Sequence, residues 1–290
     1  MKHKIEEINN GEVPAALIAQ KKIPPTFDMN EIVGTKDILF LCFDTLRYDV
    51  ALSVQENGES PNINQKSSWT KAHASGNFTY PSHHAMFAGY LPIPYEASSL
   101  FENGKLFFPS STGMGRNTPP NSFAFEGATF VEGLFKVGYE TICIGGVAFF
   151  DKRSEIGSVF PSMFSKSYWN PSFACPVKKS TENQINFAVK KLSAYPDEKR
   201  VFMYMNISAI HYPNYFYIDG ERNDSVKTHA AALKYVDSCL PLLFDAFEKR
   251  GGCFVIACSD HGSCYGEDGK QFHGFNHEIV NTVPYMEFMI

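Results

Sequence analysis

The sequence predicts an α/β fold, a mostly parallel central sheet with helices on both faces. Two observations carry that prediction. Runs such as "DILFLCF", "RVFMYMNIS" and "CFVIAC" are nearly continuous in apolar residues, as strands covered on both faces are, and do not alternate. A helix-patterned segment also precedes an apolar strand three times. "EGATFVEGLFKVG" leads into "ETICIGG", "STENQINFAVKKLSAYP" into "RVFMYMNIS", and "THAAALKYVDSCLPLLFDAFEKRGG" into "CFVIAC". Such an alternation builds parallel sheets whose crossovers are helices.

Taken in order, residues 1–36 form a helical arm and a proline-containing connector, "KKIPPTFDMN", and residues 37–290 form one domain. "DILFLCFD" is the first strand. "NFTYPSHHAMFAGYLP" places a helix start near Pro81, with Thr79 at its N-terminus. The stretch around 93–125, rich in Gly, Pro, Ser and Asn, is a long excursion near the active-site side. In the next helix Phe130, Leu134, Phe135 and Val137 supply the apolar positions and Gly138 the stop.

Composition excludes several functions. The 290 residues are 44% hydrophobic and 20% charged with a net charge of −5, and no Lys/Arg block offers a footprint for nucleic acid. No apolar run is long enough to span a bilayer, so no membrane partner is expected. The N-terminal stretch lacks the apolar core of a secretory signal, which predicts a cytoplasmic protein. The seven cysteines are odd in number and form no CxxC pair, so they are expected to be reduced and structural.

In parallel sheets ligands gather at the carboxyl ends of strands. Asp44 follows "ILFLCF", His211 follows "FMYMNISAI", and Ser259, Asp260, His261 and Gly262 follow "CFVIAC". Two carboxylates and an imidazole delivered this way suit Zn²⁺ or Mn²⁺. The bland alternative is that an Asp at a strand end caps a helix or opens a turn. Thr79 has a similar pair of readings, an activated hydroxyl beside the helix-end amides or an ordinary N-cap with Pro81 in the first turn. His83 is expected to orient or contact a substrate, and His84 to be structural. His73 and His229 are expected at the surface or on a helix face.

Together "FDTLRYD", "TYPSHH", "IHYP" and "SDHG", in this order, resemble the motifs of the alkaline phosphatase/sulfatase superfamily over about residues 37 to 288. "EGLFKVGYETICIGG" and "HGFNHEIVNTVPYMEF" are similar to further sulfatase segments. The short length and the start of the chain also resemble small soluble bacterial sulfatase-like hydrolases. The resemblance implies an alkaline phosphatase-like fold and one divalent metal, Zn or Mn, held by Asp44, Asp260 and His261. Thr79 would be its fourth ligand and the attacking group, forming a phosphoryl-enzyme. His211 would contact the transferred group or protonate the leaving oxygen, and His273 falls where sulfatases keep a substrate-binding lysine.

The departures are informative. Thr79 cannot be converted to formylglycine, His83 replaces an Arg, and Gly145-Gly146 replaces the sulfatase Gly-Lys. Ile207 stands where phosphodiesterases keep an Asp of a second metal site, leaving His211, His273 and His277 as an incomplete second set. The expectation is hydrolysis of a small-molecule phosphodiester or phosphonate monoester. The alternatives are a transferase using the same site, a sulfuric ester hydrolase and a non-catalytic metal-binding protein. Oligomeric state is not legible.

Overall fold

The computed structural model describes residues 27–89, 105–107, 122–124 and 128–290. The N-terminal arm before residue 27 and most of the 93–125 excursion lie outside the described residues. The first half of the chain gives α1 (Met29–Ile32), β1 (Asp37–Phe43), α2 (Tyr48–Glu56), α3 (Pro61–Asn64), β2 (Thr70–His73), α4 (Thr79–Ala88), β3 (Lys105–Phe107), β4 (Ser122–Ala124), α5 (Phe130–Lys136) and β5 (Glu140–Ile144). The second half gives α6 (Glu155–Ser158), β6 (Lys166–Tyr168), α7 (Ser180–Leu192), β7 (Val201–Ile207), α8 (Val226–Glu248), β8 (Cys253–Cys258), β9 (Cys264–Tyr265), β10 (Gln271–Phe272), α9 (Glu278–Asn281) and β11 (Thr282–Met289).

Seven strands form the main sheet in the order β2-β11-β8-β1-β7-β5-β6. β1 lies at its centre, parallel to β7 through pairs such as Ile38 with Phe202, and parallel to β8 through Leu39 with Val255. β11 runs antiparallel to both β8 and β2, so the sheet is mostly and not wholly parallel. Side chains of a strand alternate between faces, and β1 divides accordingly. Leu39, Leu41 and Phe43 join a core with Val54 of α2, Ala188 of α7 and Leu240 of α8. Ile38, Phe40 and Cys42 join the other core with Phe87 of α4 and Leu134 of α5. All seven β1 side chains are therefore buried, which is why the run shows no polar alternation.

Helix ends follow local chemistry. Thr129 and Glu132 make a reciprocal capping box at the start of α5, and Ser225 with Thr228 does the same for α8. Gly138 ends the α5 segment at φ +98°, the left-handed conformation that favours glycine. The apolar face of α5 differs from the one the pattern suggested. Val131 and Leu134 are buried, whereas Phe135 and Val137 are 56% and 58% exposed. Those two sit in the last turn and just past it, where the helix turns away from the sheet. Among the described residues no helix is long and apolar enough to cross a membrane.

Candidate metal centre and active site

Three acidic or imidazole groups meet at the carboxyl ends of β1 and β8. One ligand atom each from Asp44, Asp260 and His261 lies within 4.8 Å of the others, and all three residues are buried. Asp44 Oδ2 accepts from Asn206 Nδ2 at 3.0 Å, and Asp260 Oδ1 accepts from the Thr45 and His261 amides at 3.1 and 3.0 Å. The second oxygens, Asp44 Oδ1 and Asp260 Oδ2, are buried with no hydrogen-bond partner. Burial and mutual repulsion push the Asp44 carboxyl up to about 6, and burial pushes Asp260 up to about 6. Two like charges with orphaned oxygens are costly unless a cation sits between them. The donor set therefore fits a divalent metal.

The imidazole is aimed the same way. His261 Nδ1 donates to the Gly262 carbonyl at 3.0 Å, leaving Nε2 to face the site, 3.4 Å from Asp260 Oδ2. Burial pushes its pKa down to about 4, so it is neutral and its lone pair is available. Gly262 is required here, because a Cβ would stand 2.0 Å from the Ile279 carbonyl oxygen. Thr45, next to Asp44, is held at φ +65°, a conformation that a β-branched residue adopts only when its surroundings impose it. Its amide contact to Asp260 is that imposition. Asp44 does not cap α2, whose flanking residue is Arg47, but it does stand in the turn that closes β1 by the Leu46 amide bond to the Phe43 carbonyl, and its side chain serves the site from there.

Thr79 is the first residue of α4, and its cap position is Phe78. Its hydroxyl is thus free of capping duty and stands 3.3 Å from His261 Nε2. Ser82 ties this helix to the metal loop by donating to the Asp260 carbonyl at 2.8 Å. Thr79 also lines a cavity of about 590 Å³ with Phe78, Phe149, Trp169, Cys175, His211 and His273 among its walls. His211 Nδ1 donates to the Tyr212 carbonyl at 2.6 Å and lies 3.6 Å from Cys175 Sγ, so Nε2 is the nitrogen left for the cavity. Burial opposes charge on His211, but the Cys175 contact and the Asp44 carboxylate raise its pKa to about 9. The His273 ring centre stands 4.3 Å from that of His261 and 5.6 Å from that of His211.

Three histidines fall elsewhere than expected. His83 does not face the cavity. It is fully buried, its Nδ1 donates to the Thr79 carbonyl at 2.7 Å and its Nε2 accepts from the Tyr204 hydroxyl. Burial pushes it down to about 3, so its 3.8 Å approach to Asp260 is no ion pair. His277 caps α9 by accepting from the Ile279 amide, and its Nε2 lies 3.2 Å from Asp268. It therefore does not join His211 and His273, and no donor set built from these three converges among the described residues. His229, expected at a surface or helix face, is fully buried, with Tyr265 at 2.8 Å. His84 is buried and bonded to the Tyr80 carbonyl, while His73 is exposed.

Several site residues escaped sequence reasoning. Asn206 had a signal, a lone amide inside the apolar run of β7. Cys175, Phe149 and Trp169 had none, because they sit in short or irregular segments between the main elements. Arg47 is not a cavity residue, being engaged with Asp49 and Glu267.

The family model described as Sulfatase matches residues 36–286. The chain belongs to the sulfatase family. No curated protein sequence matches it. Its structure is similar to the C-terminal periplasmic domain of phosphoethanolamine transferase EptC from Campylobacter jejuni, with TM-score 0.58 and 15% identity over 88% of this chain and 80% of that one. The corresponding domain of EcEptC from Escherichia coli, in complex with Zn, gives TM-score 0.54 and 12% identity over 87% and 72%. A protein of the alkaline phosphatase superfamily from Vibrio parahaemolyticus gives 0.55 and 21% over 88% and 60%. The fold of this sulfatase-family chain is thus the alkaline phosphatase-like α/β fold.

Proposed function

We propose that this sulfatase-family chain is a metal-dependent hydrolase of a phosphate or phosphonate ester, with Thr79 as the nucleophile. The observation that carries the reading is the Thr79 hydroxyl, free of capping duty, 3.3 Å from His261 Nε2 and open to the cavity. Asp44, Asp260 and His261 would hold the ion. When bound, a divalent cation there lowers the pKa of a neighbouring hydroxyl and offsets charge on phosphoryl oxygens. Thr79 Oγ1 loses its proton to solvent and attacks phosphorus, and the bond from phosphorus to the leaving oxygen breaks. His211 Nε2 gives that oxygen a proton. Water then attacks the phosphoryl-Thr79 and gives a proton to His211, the Thr79–phosphorus bond breaks, and Thr79 Oγ1 takes back a proton from solvent.

A threonine cannot become formylglycine, which weighs against a sulfuric ester substrate. Among the described residues Arg153 is the one Lys or Arg that lines the cavity, so a monoanionic diester or phosphonate suits it better than a dianionic monoester. The test is a panel of aryl phosphate, bis-aryl phosphate, aryl phosphonate and aryl sulfate, with Mn²⁺ or Zn²⁺, for wild type and Thr79→Ala. Turnover of the diester or phosphonate should fall by about 10³-fold or more in Thr79→Ala, with metal content retained. Undiminished turnover in that variant removes Thr79 from the chemistry. Turnover of the sulfate alone makes the chain a sulfuric ester hydrolase, and a product ester formed with added alcohol makes it a transferase.

A further inference from the structure

One side chain touches both the metal centre and the wall of the catalytic cavity. Asn206 stands near the carboxyl end of β7, paired with Cys42 of β1, and is fully buried. Its neighbours Met205 and Ile207 join the core shared with α7 and α8, so its own side chain points to the other face of the sheet. There Nδ2 donates to Asp44 Oδ2 at 3.0 Å, and Oδ1 accepts from the Val147 amide at 3.0 Å. Val147, Ala148 and Phe149 line the cavity.

The residue is braced from behind. Gln184 of α7 donates through Nε2 to the Asn206 carbonyl at 2.7 Å and to the Gly145 carbonyl at 3.3 Å. Gly146 packs so closely that a Cβ there would stand 2.4 Å from the Asn206 carbonyl oxygen and 2.9 Å from its Oδ1. A buried side chain in this position must donate on one side and accept on the other. An amide does both, whereas an ionised carboxylate only accepts and an aliphatic group does neither.

The bond to Asp44 bears on the metal. With Oδ2 engaged by Asn206, Asp44 has one oxygen without a partner, Oδ1. Asp260 is in the same state, its Oδ1 accepting from the Thr45 and His261 amides and its Oδ2 orphaned. Each carboxylate therefore offers a single atom. Together with His261 Nε2 and the Thr79 hydroxyl this makes a small donor set. Such a set suits tetrahedral Zn²⁺, whereas Mn²⁺ favours octahedral sites richer in oxygen.

We propose that Asn206 is a positioning residue that restricts Asp44 to one coordinating oxygen, and so selects Zn²⁺ over Mn²⁺, while tying the cavity wall at Val147 to the same point. The proposal rests on the reading of Asp44, Asp260 and His261 as the metal ligands and adds what tunes them.

The full-length protein would be stripped of metal and titrated with Zn²⁺ and Mn²⁺ in competition with a chromophoric chelator. The visible spectrum of the Co²⁺-loaded protein reports coordination, intense for a tetrahedral ion and weak for an octahedral one. Wild type should give the intense spectrum. Asn206→Asp is the informative variant, because its carboxylate still accepts from the Val147 amide but has no proton to give Asp44. It should weaken the Co²⁺ absorption and cut the preference for Zn²⁺ over Mn²⁺ by about tenfold or more, and Asn206→Ala should do the same. The ratio of affinities is the readout, since an added carboxylate attracts both ions. A weak, octahedral spectrum in wild type would overturn the proposal, and that measurement needs no variant to fold. So would an Asn206→Asp protein with the wild-type spectrum and preference. A wild type that binds neither ion would sink the metal centre and this proposal with it. One that binds metal but is inert toward every aryl ester would sink the proposed reaction alone.

Discussion

β1 begins and ends with a buried aspartate, and the two have opposite fates. Asp37 is fully buried, yet its Oδ1 accepts from the Val201 amide at 2.9 Å and its Oδ2 from Arg250 Nε at 2.8 Å. Arg250 is in turn bonded to the carbonyls of Tyr195 and Lys199. Asp44, equally buried at the other end, has one oxygen bonded to Asn206, one orphaned, and a second carboxylate nearby. The same residue type on one strand is structural where the chain supplies its countercharge and is a ligand where it does not. The difference is local and can be broken from either end.

The largest effect should come from removing a ligand charge. Asp260→Asn should abolish bound metal and lower turnover by about 10³-fold or more, whereas Asp37→Asn should keep full metal stoichiometry by elemental analysis. Full metal content in Asp260→Asn would show that the orphaned oxygens are not the binding atoms.

The two ends were not equally legible in the sequence. Asp44, Asp260 and His261 stood out because each follows an unbroken apolar run, and burial on both faces of the sheet makes such runs visible. β1, β7 and β8 were visible for the same reason. The edge strand β2 is a short and largely exposed "TKAH", with no apolar pattern to mark it. His83 was misplaced because a helix start reveals which residues sit near an anion site but not which face meets β7, and Tyr204 of β7 claims it. His229 does lie on a helix, α8, but its burial was not visible because the partner that covers it, Tyr265 of β9, is distant in sequence.

Stability sharpens the same comparison. Asp37→Ala strands the Arg250 guanidinium in the interior and should cost about 3–5 kcal/mol in denaturant unfolding. Asp44→Asn, measured in chelator, removes one of two repelling buried carboxylates and should leave stability unchanged or raise it by about 1–3 kcal/mol. Equal losses in the two variants would erase the distinction drawn between the two ends of β1.

A pH series tests a third buried site. Burial, helped by the charges of Arg47 and His211 and opposed by Asp49, pushes His229 down to about 3. The unfolded chain takes up this proton near the ordinary value of about 6.5, and the folded chain only near 3. Below about 6.5 the unfolded state therefore binds more protons, and stability falls as pH falls toward 3, at up to about 1.4 kcal/mol per pH unit for this one group. His229→Gln should flatten the slope between pH 6 and 4 by about that amount. An unchanged slope would mean that His229 is protonated, and so hydrated, in the folded protein.

The smallest effect concerns His83, the histidine nearest Thr79 in sequence and the one that the structure turns away from the cavity. Tyr204→Phe removes the hydroxyl that donates to His83 Nε2 and leaves a buried acceptor unmatched, a loss of about 1–3 kcal/mol in stability. His83 Nδ1 still reaches the Thr79 carbonyl, so α4 should keep its position and turnover should stay within about threefold of wild type. If turnover instead fell by more than about tenfold at unchanged metal content, the Tyr204–His83 pair would be fixing the nucleophile. The buried side of α4 would then belong to the active site as much as the cavity side does.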